Sequence, residues 1–580
     1  MPSDAERELL AAIRGDRMWR DLEFLCGFDR TSGTEGERRA MTYIAEGLQA
    51  DGLAVTVHEF DAYLSYPLEG RVEVVAGDGL PPAIPAKTRA FSADTPPEGL
   101  AGEVVYVPGG HDLFRDTDTH RRLDPAAIAG RIVLSEAGSR RNMQAAQERG
   151  AIAYLHTWPS DEDAIHEGIV TPVWGAPTPE SAGAIPRIPI LSITRGSGEA
   201  LRAALGRGPV RLRLWSRAET DWRRVTLPVA EVAGATPEFV LFSGHVDSWY
   251  LGATDNATGN AVTMEAARLL HRCRDRLRRG VRFAFWPGHS TGRYAGSTWY
   301  ADHHWQDLYE HCVLHINCDS PGVVGATEYD PVTASAEASG FAVALIEELT
   351  GQRVGWERPV RAGDQSFWGA GVPSLLMGSS MRPKGQRAAV GGSGFGWWWH
   401  TEADTIDKVD PAVLRRDTEI YLLAAYRFAA APVPPLAVAA AVDELRETIA
   451  ALASAAAGRF DLAPVDAALA RLRRAAEAFD AEVARQAAPA AALARAQREA
   501  VRLLVQAAYT AGSPFDHDPA VPQRPLPALQ DAVELAGLNP DAHAARLLRV
   551  RLTRQRNRVL WGLDAATRAL EAALPAPAHR

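Results

Sequence analysis

Four short apolar runs, "EFVLFSGHVDSW", "GVRFAFWPG", "CVLHINCDS" and "PSLLMGSS", follow residue 236 and are separated by helical stretches such as "NAVTMEAARLLHRCRDRL". Strands that alternate with helices need long crossovers, so they pair in parallel, and helices must cover both faces of the resulting sheet. This pattern predicts an α/β fold with a mostly parallel central sheet flanked by helices. It also places any functional site beyond the carboxyl ends of the strands.

The rest of the 580-residue chain is too long for one core, and its texture suggests about three domains. Residues 1–60 read as two helices and a strand, the amphipathic "GTEGERRAMTYIAEGLQADG" leading into "LAVTVHEF". Residues 61–224 change to short strands with many Pro and Gly turns, which predicts an inserted β-rich domain; residues 225–431 resume the α/β pattern. Residues 432–580 are rich in Ala, Leu and Arg at helical spacing and predict a C-terminal helical domain for packing or dimerisation.

A formal charge of -10, from 62 basic and 72 acidic residues, argues against general nucleic-acid binding, which needs a basic face. The sequence has no apolar stretch of about 18 residues, so no membrane span is expected. The first residues lack the apolar core of a signal peptide, making a cytoplasmic location the default expectation. Cys26, Cys273, Cys312 and Cys318 are scattered and read as core residues rather than disulfides or a thiolate zinc cage.

The strand ends carry the chemistry. His245, Asp247 and Asp255 follow one strand, Asp319 another, and His400 a glycine-rich loop. Imidazoles and carboxylates converging from separate strand ends suit zinc, and a bridging Asp would allow two ions. A competing reading takes Gly288-His289-Ser290-Thr291-Gly292 as the turn of a serine hydrolase, with Asp319 and His400 completing its triad. The two glycines of "GRYAGS" make a poor first helical turn there, and that reading leaves His245, Asp247 and Asp255 without a role.

Other residues take lesser expectations. His303, His304 and His311 read as solvated, and His315 as a satisfied sheet histidine. Arg293 and Arg361 are candidates for gripping a substrate carboxylate. Asp364 reads as structural. Trp397, Trp398 and Trp399 are expected to wall a pocket beside His400, and Thr401, Glu402 and Asp404 either to orient His400 or to cap the next helix.

Taken in order, the HVD segment, DNATG, the "INCDS" strand, "RAGDQSFWGAGVPS" and "HTEADTIDKVD" resemble the zinc aminopeptidase and glutamate carboxypeptidase family, metallopeptidase family twenty-eight. The resemblance covers the whole chain. It implies a zinc exopeptidase-like fold, a protease-associated insertion ("AIAGRIVL", "AAQERGAIAYLHT") and a helical dimerisation domain like that of transferrin receptor, hence a homodimer. It further implies His245 and Asp319 as ligands of one metal, His400 of a second, Asp255 as the bridge and Asp247 as the group orienting His245. It also implies a cis Asp255-Asn256 bond.

One departure bears on activity. Hydrolysing relatives carry two consecutive glutamates, a general base and a ligand, where this chain has His289 and Ser290, and alignment from "GS" shifts that register by one residue. A tyrosine that precedes the final His in relatives is Trp399 here. The leading expectation is a hydrolase of peptide or amide bonds that uses one or two zinc ions on a small peptide or N-acyl amino acid, with His289 as base or as ligand. Its alternatives are a non-catalytic binding or scaffold protein and a non-hydrolytic single-zinc enzyme of the same fold.

Overall fold

The computed structural model describes residues 2–110, 120, 123–376, 378, 380–485 and 488–574. Ten strands come first in chain order: β1 (Ala54–Ala76), β2 (Ala83–Thr88), β3 (Leu100–Tyr106), β4 (Ile132–Ser135), β5 (Ala153–Thr157), β6 (Ile190–Ile193), β7 (Arg211–Val232), β8 (Thr236–His245), β9 (Arg279–Trp286) and β10 (Cys312–Asn317). A short pair, β11 (Val332–Thr333) and β12 (Trp356–Glu357), and the edge strand β13 (Ser374–Leu375) follow. Eleven of them make one sheet in the order β1-β2-β6-β5-β4-β3-β7-β9-β8-β10-β13.

The expected parallel sheet is its β9-β8-β10-β13 part, which leaves the carboxyl ends of β8, β9 and β10 side by side at His245, Trp286 and Asn317. Strand β8 reads as a continuous apolar run because both of its faces are covered. Val240 and Phe242 pack with the helices Gly15–Leu25, Thr258–Arg272 and Pro411–Ala430, while Phe239 and Leu241 pack with Ala295–His303 and Trp305–His311.

Strands β1 and β7 run antiparallel over 23 and 22 residues. The two positions where the sequence changes texture face each other within this ribbon, Phe60 opposite Val225 and Asp61 opposite Arg224. The backbone continues through both, so the inserted segment shares its ribbon with the α/β part. Its own core gathers Ile132, Leu134, Leu155, Leu191 and Leu212.

The N-terminal segment folds as three helices rather than two, because the periodic pattern breaks at Arg14, whose amide donates to Glu265 Oε1 at 2.6 Å. In the C-terminal region, helices Val438–Ala455, Ala463–Arg485, Ala490–Tyr509 and His543–Ala573 pack into a core continuous with that of the sheet through Leu445, Leu469, Leu504 and Leu563. All four cysteines are free. Among the described residues no helix is long and apolar enough to cross a membrane.

Candidate metal centre

His245 ends β8, and the loop behind it is held from below by a buried arginine. Arg30 donates to the carbonyl oxygens of Val246 (2.8 Å), Leu251 (2.7 Å) and Gly252 (3.0 Å). The chain then turns through Asp255, with the expected cis Asp255-Asn256 bond present. Asn256 fastens this turn to the loop after β10: its Nδ2 donates to the Cys318 carbonyl (2.9 Å) and its Oδ1 accepts from the Ser320 amide (3.1 Å). Asp319 is thereby set opposite Asp255.

The expected ligands come together. His245 Nε2 lies 3.2 Å from Asp255 Oδ1 and 3.7 Å from Asp319 Oδ1, and His400 Nε2 lies 3.0 Å from Asp255 Oδ2. His245 Nδ1 faces the carbonyl oxygen of Asp247 at 2.9 Å, and His400 Nδ1 faces that of Glu167 at 3.1 Å. A carbonyl only accepts, so each Nδ1 carries a proton and each Nε2 faces a carboxylate, an arrangement that a cation, a proton or a metal ion, would bridge. Nitrogen and oxygen donors at this separation fit zinc, whose bonds of about 2.0–2.2 Å set neighbouring donors a little over 3 Å apart.

Two metal positions here would be unequal. The first has His245, Asp255 and Asp319, the three protein ligands of an open catalytic site. The second has Asp255 and His400. Ser290, which alignment from "FAFW" sets at the missing ligand, is buried, and its hydroxyl has no hydrogen-bond partner among the described residues. A ring nitrogen of His289 lies within 4.8 Å of donor atoms of His245 and Asp319. The rings of His289 and His245, however, are stacked at 3.8 Å and 12°. An imidazole binds an ion in its own plane, and two nearly parallel stacked rings share no nearby point of that kind, so an ion held by His245 would not be held by His289 as well. Its Nδ1 donates to Asp364 Oδ2 at 2.7 Å, leaving Nε2 as the acceptor.

Several expectations need correction. Asp247 faces His245 Nδ1 with its backbone carbonyl at 2.9 Å and with Oδ1 at 3.7 Å, and the same carboxylate also accepts from the amides of His289 (3.0 Å) and Ser290 (2.8 Å) and so secures the turn after β9. Asp364 is the partner of His289 rather than a structural residue. Arg293 and Arg361 are buried and tie backbone carbonyls, Arg293 those of Ile169 and Thr171 and Arg361 those of Gln365 and Asp518, so neither faces the site. Asp404 leaves His400 alone and accepts from the amides of Thr254 (3.0 Å) and Asp255 (3.1 Å), while Glu402 pairs with Lys87 and Thr401 bonds the Trp398 carbonyl.

Of the tryptophans, Trp398 is buried beside Val323, Ala326 and Val413, and Trp399 stacks on His400 at 3.5 Å. His303 is exposed, as expected, and stacks on Trp299, whereas His304 packs on Tyr300 and His311 pairs with Asp307, both half-buried; His315 is bonded to Ser243 as a sheet histidine. The serine-hydrolase reading fails, since no base reaches the Ser290 hydroxyl. The residues that sequence reasoning missed, Arg30 and the inserted His166 and Glu167, carry no local signal. His166 Nδ1 contacts the Trp399 carbonyl at 2.5 Å and the Glu167 amide donates to the His400 carbonyl at 3.0 Å, which holds His400 at a φ of 59°.

Residues 229–425 match the family described as Peptidase family M28. A probable lipoprotein aminopeptidase of Mycobacterium tuberculosis is 27% identical over 416 residues, covering 66% of this chain and 78% of its own length. Carboxypeptidase Q of Xenopus laevis is 24% identical over 452 residues, covering 72% and 87%. The solved zinc aminopeptidase of Bacillus subtilis superposes with a TM-score of 0.52 at 18% identity, over 71% of this chain and 94% of that one, a likeness of fold.

Proposed function

Since residues 229–425 form a Peptidase family M28 domain, which supports a peptidase function, we propose that this chain is a zinc-dependent hydrolase of peptide or amide bonds that uses His289 as general base. The observation that carries the reading is the pair of imidazoles, His245 and His400, whose Nε2 atoms face the carboxylates of Asp255 and Asp319.

His245, Asp255 and Asp319 would hold the principal ion, with Asp255 and His400 offering a second, weaker position. When bound, zinc supplies Lewis acidity toward a carbonyl and toward water. The protein's part is the proton. His289 Nε2 accepts it from the attacking water and returns it to the leaving amine, while Asp364 holds Nδ1–H and stabilises the positive ring. Trp399 against His400, with Trp249 at 6.1 Å, gives the site an apolar wall that suits a small peptide or N-acyl amino acid.

Zinc analysis of the parent beside His245→Ala and Asp319→Ala tests the centre: near-stoichiometric zinc in the parent and its loss in both variants is expected. A parent without bound metal defeats the reading. On aminoacyl anilides, dipeptides and N-acyl amino acids, His289→Ala is expected to keep zinc and lose about 10²–10⁴-fold in kcat. Residues 61–224 fill the role of a protease-associated domain in this reading, and the C-terminal helices that of a homodimer interface. The lipoprotein name of the Mycobacterium tuberculosis relative sets a location outside the cytoplasm against the cytoplasmic expectation, which fractionation of cells decides.

A further inference from the structure

His289 is connected to the inserted segment by an unbroken series of hydrogen bonds. The indole Nε1 of Trp174 lies 2.8 Å from Ser366 Oγ, Ser366 Oγ 2.8 Å from Ser297 Oγ, and Ser297 Oγ 2.7 Å from Asp364 Oδ1. Asp364 Oδ2 then meets His289 Nδ1 at 2.7 Å. Trp174, Ser366, Ser297 and Asp364 are all buried. They come from three places: Trp174 from the insertion, Ser297 from the helix Ala295–His303, and Asp364 with Ser366 from the loop before β13.

The polarity of the series is set at its far end. An indole N–H only donates, so Ser366 accepts from Trp174 and its own hydroxyl is free to donate onward. Ser297 accepts that bond and donates to Asp364; its longer alternative, the Tyr294 carbonyl, is at 3.2 Å. The carboxylate of Asp364 then accepts at both oxygens, once from Ser297 and once from His289. In the neutral imidazole the proton is therefore held on Nδ1, which leaves Nε2 as the acceptor. Trp174 is itself clamped between the Arg361 guanidinium (3.7 Å) and the Tyr294 ring (4.3 Å), and that Tyr294 ring meets His289 edge-on at 4.9 Å.

We infer that Trp174, Ser366, Ser297 and Asp364 are positioning residues that fix the tautomer of His289, so that the inserted segment, through one indole N–H, makes the base competent. The inference rests on the proposed role of His289 as base. It gives the insertion a task in the chemistry, through the hydrogen bond from Trp174 to Ser366.

The test uses the full chain with ¹⁵N-labelled histidine, the His289 signals being identified by their loss in His289→Gln. The parent is expected to show Nδ1–H and a bare Nε2, with or without zinc. Asp364→Asn is expected to mix the tautomers and to lower kcat about 10²–10⁴-fold while zinc content and KM stay within about twofold. Trp174→Phe keeps the ring and removes only the donor, and Ser366→Ala cuts the next bond. Each is expected to shift the same signals and to lower kcat about 3–10-fold, and the double variant to cost less than the product of the two, as members of one series do. A parent carrying the proton on Nε2, or Trp174→Phe and Ser366→Ala with unchanged signals and kcat, overturns the inference. A parent with no turnover defeats the base reading instead, and the tautomer spectrum still decides the relay.

Discussion

Asp247 acts through both halves of the residue: its carbonyl holds Nδ1 of His245 while its carboxylate caps two amides of the turn that carries His289. The two functions separate on mutation. Asp247→Ala keeps the carbonyl but leaves two buried N–H groups unpaired, each costing about 1–3 kcal/mol. The expected variant melts earlier and turns over slowly yet retains zinc; loss of zinc at equal folding contradicts this division. At this scale the convergence of His245, Asp255, Asp319 and His400 was legible, because each lies just past a strand end or in a loop that the motifs mark. Their holders were not. Arg30 precedes its carbonyl partners in the loop after β8 by more than two hundred residues, and nothing near it in sequence distinguishes it from the chain's other arginines.

Elements set the centre by how closely their backbones approach. Gly244, immediately before His245 in β8, sits where a Cβ would come 2.7 Å from the carbonyl oxygen of Cys318, the group that Asn256 grips. Gly244→Ala is expected to push β8 from the loop after β10, lowering both the melting temperature and zinc affinity; a variant that binds zinc as the parent does contradicts it. On the far side of the sheet, burial lifts Glu337, at the start of the helix Ala336–Thr350, to about 7. Its unfolded value is near 4.5, so the folded state keeps a proton that the unfolded chain has lost between those values. Stability is therefore expected to fall as pH rises through that window and to stay lower above it. Glu337→Gln should flatten the dependence, gaining on the order of 2–3 kcal/mol at about pH 8 relative to about pH 5, read by urea unfolding. An unchanged slope in the variant removes Glu337 as the cause.

Across the whole molecule, the insertion and the catalytic part are locked around the centre: Tyr250 bonds Glu167 at 2.6 Å, and Lys87 reaches both Tyr250 and Glu402. The opposite end leaves Leu547, Val550 and Trp561 exposed on the helix His543–Ala573, within about 60° of one another at 100° per residue. If the C-terminal helices pair two copies, Trp561→Glu is expected to shift the chain from dimer to monomer in sedimentation without changing its zinc content; a monomeric parent defeats that reading. Strand and helix alternation, the change of texture at either end of the insertion and the ligand types at strand ends are properties of neighbouring residues, and local periodicity and turn chemistry suffice to write them into the sequence. The stacking of His289 on His245, the approach of His400 to Asp255, and the series from Trp174 to Asp364 join residues up to 192 positions apart. They exist only once the sheet has brought its loops to one edge, because hydrogen-bond partners and ring planes are fixed by distance in space, which a linear pattern does not encode.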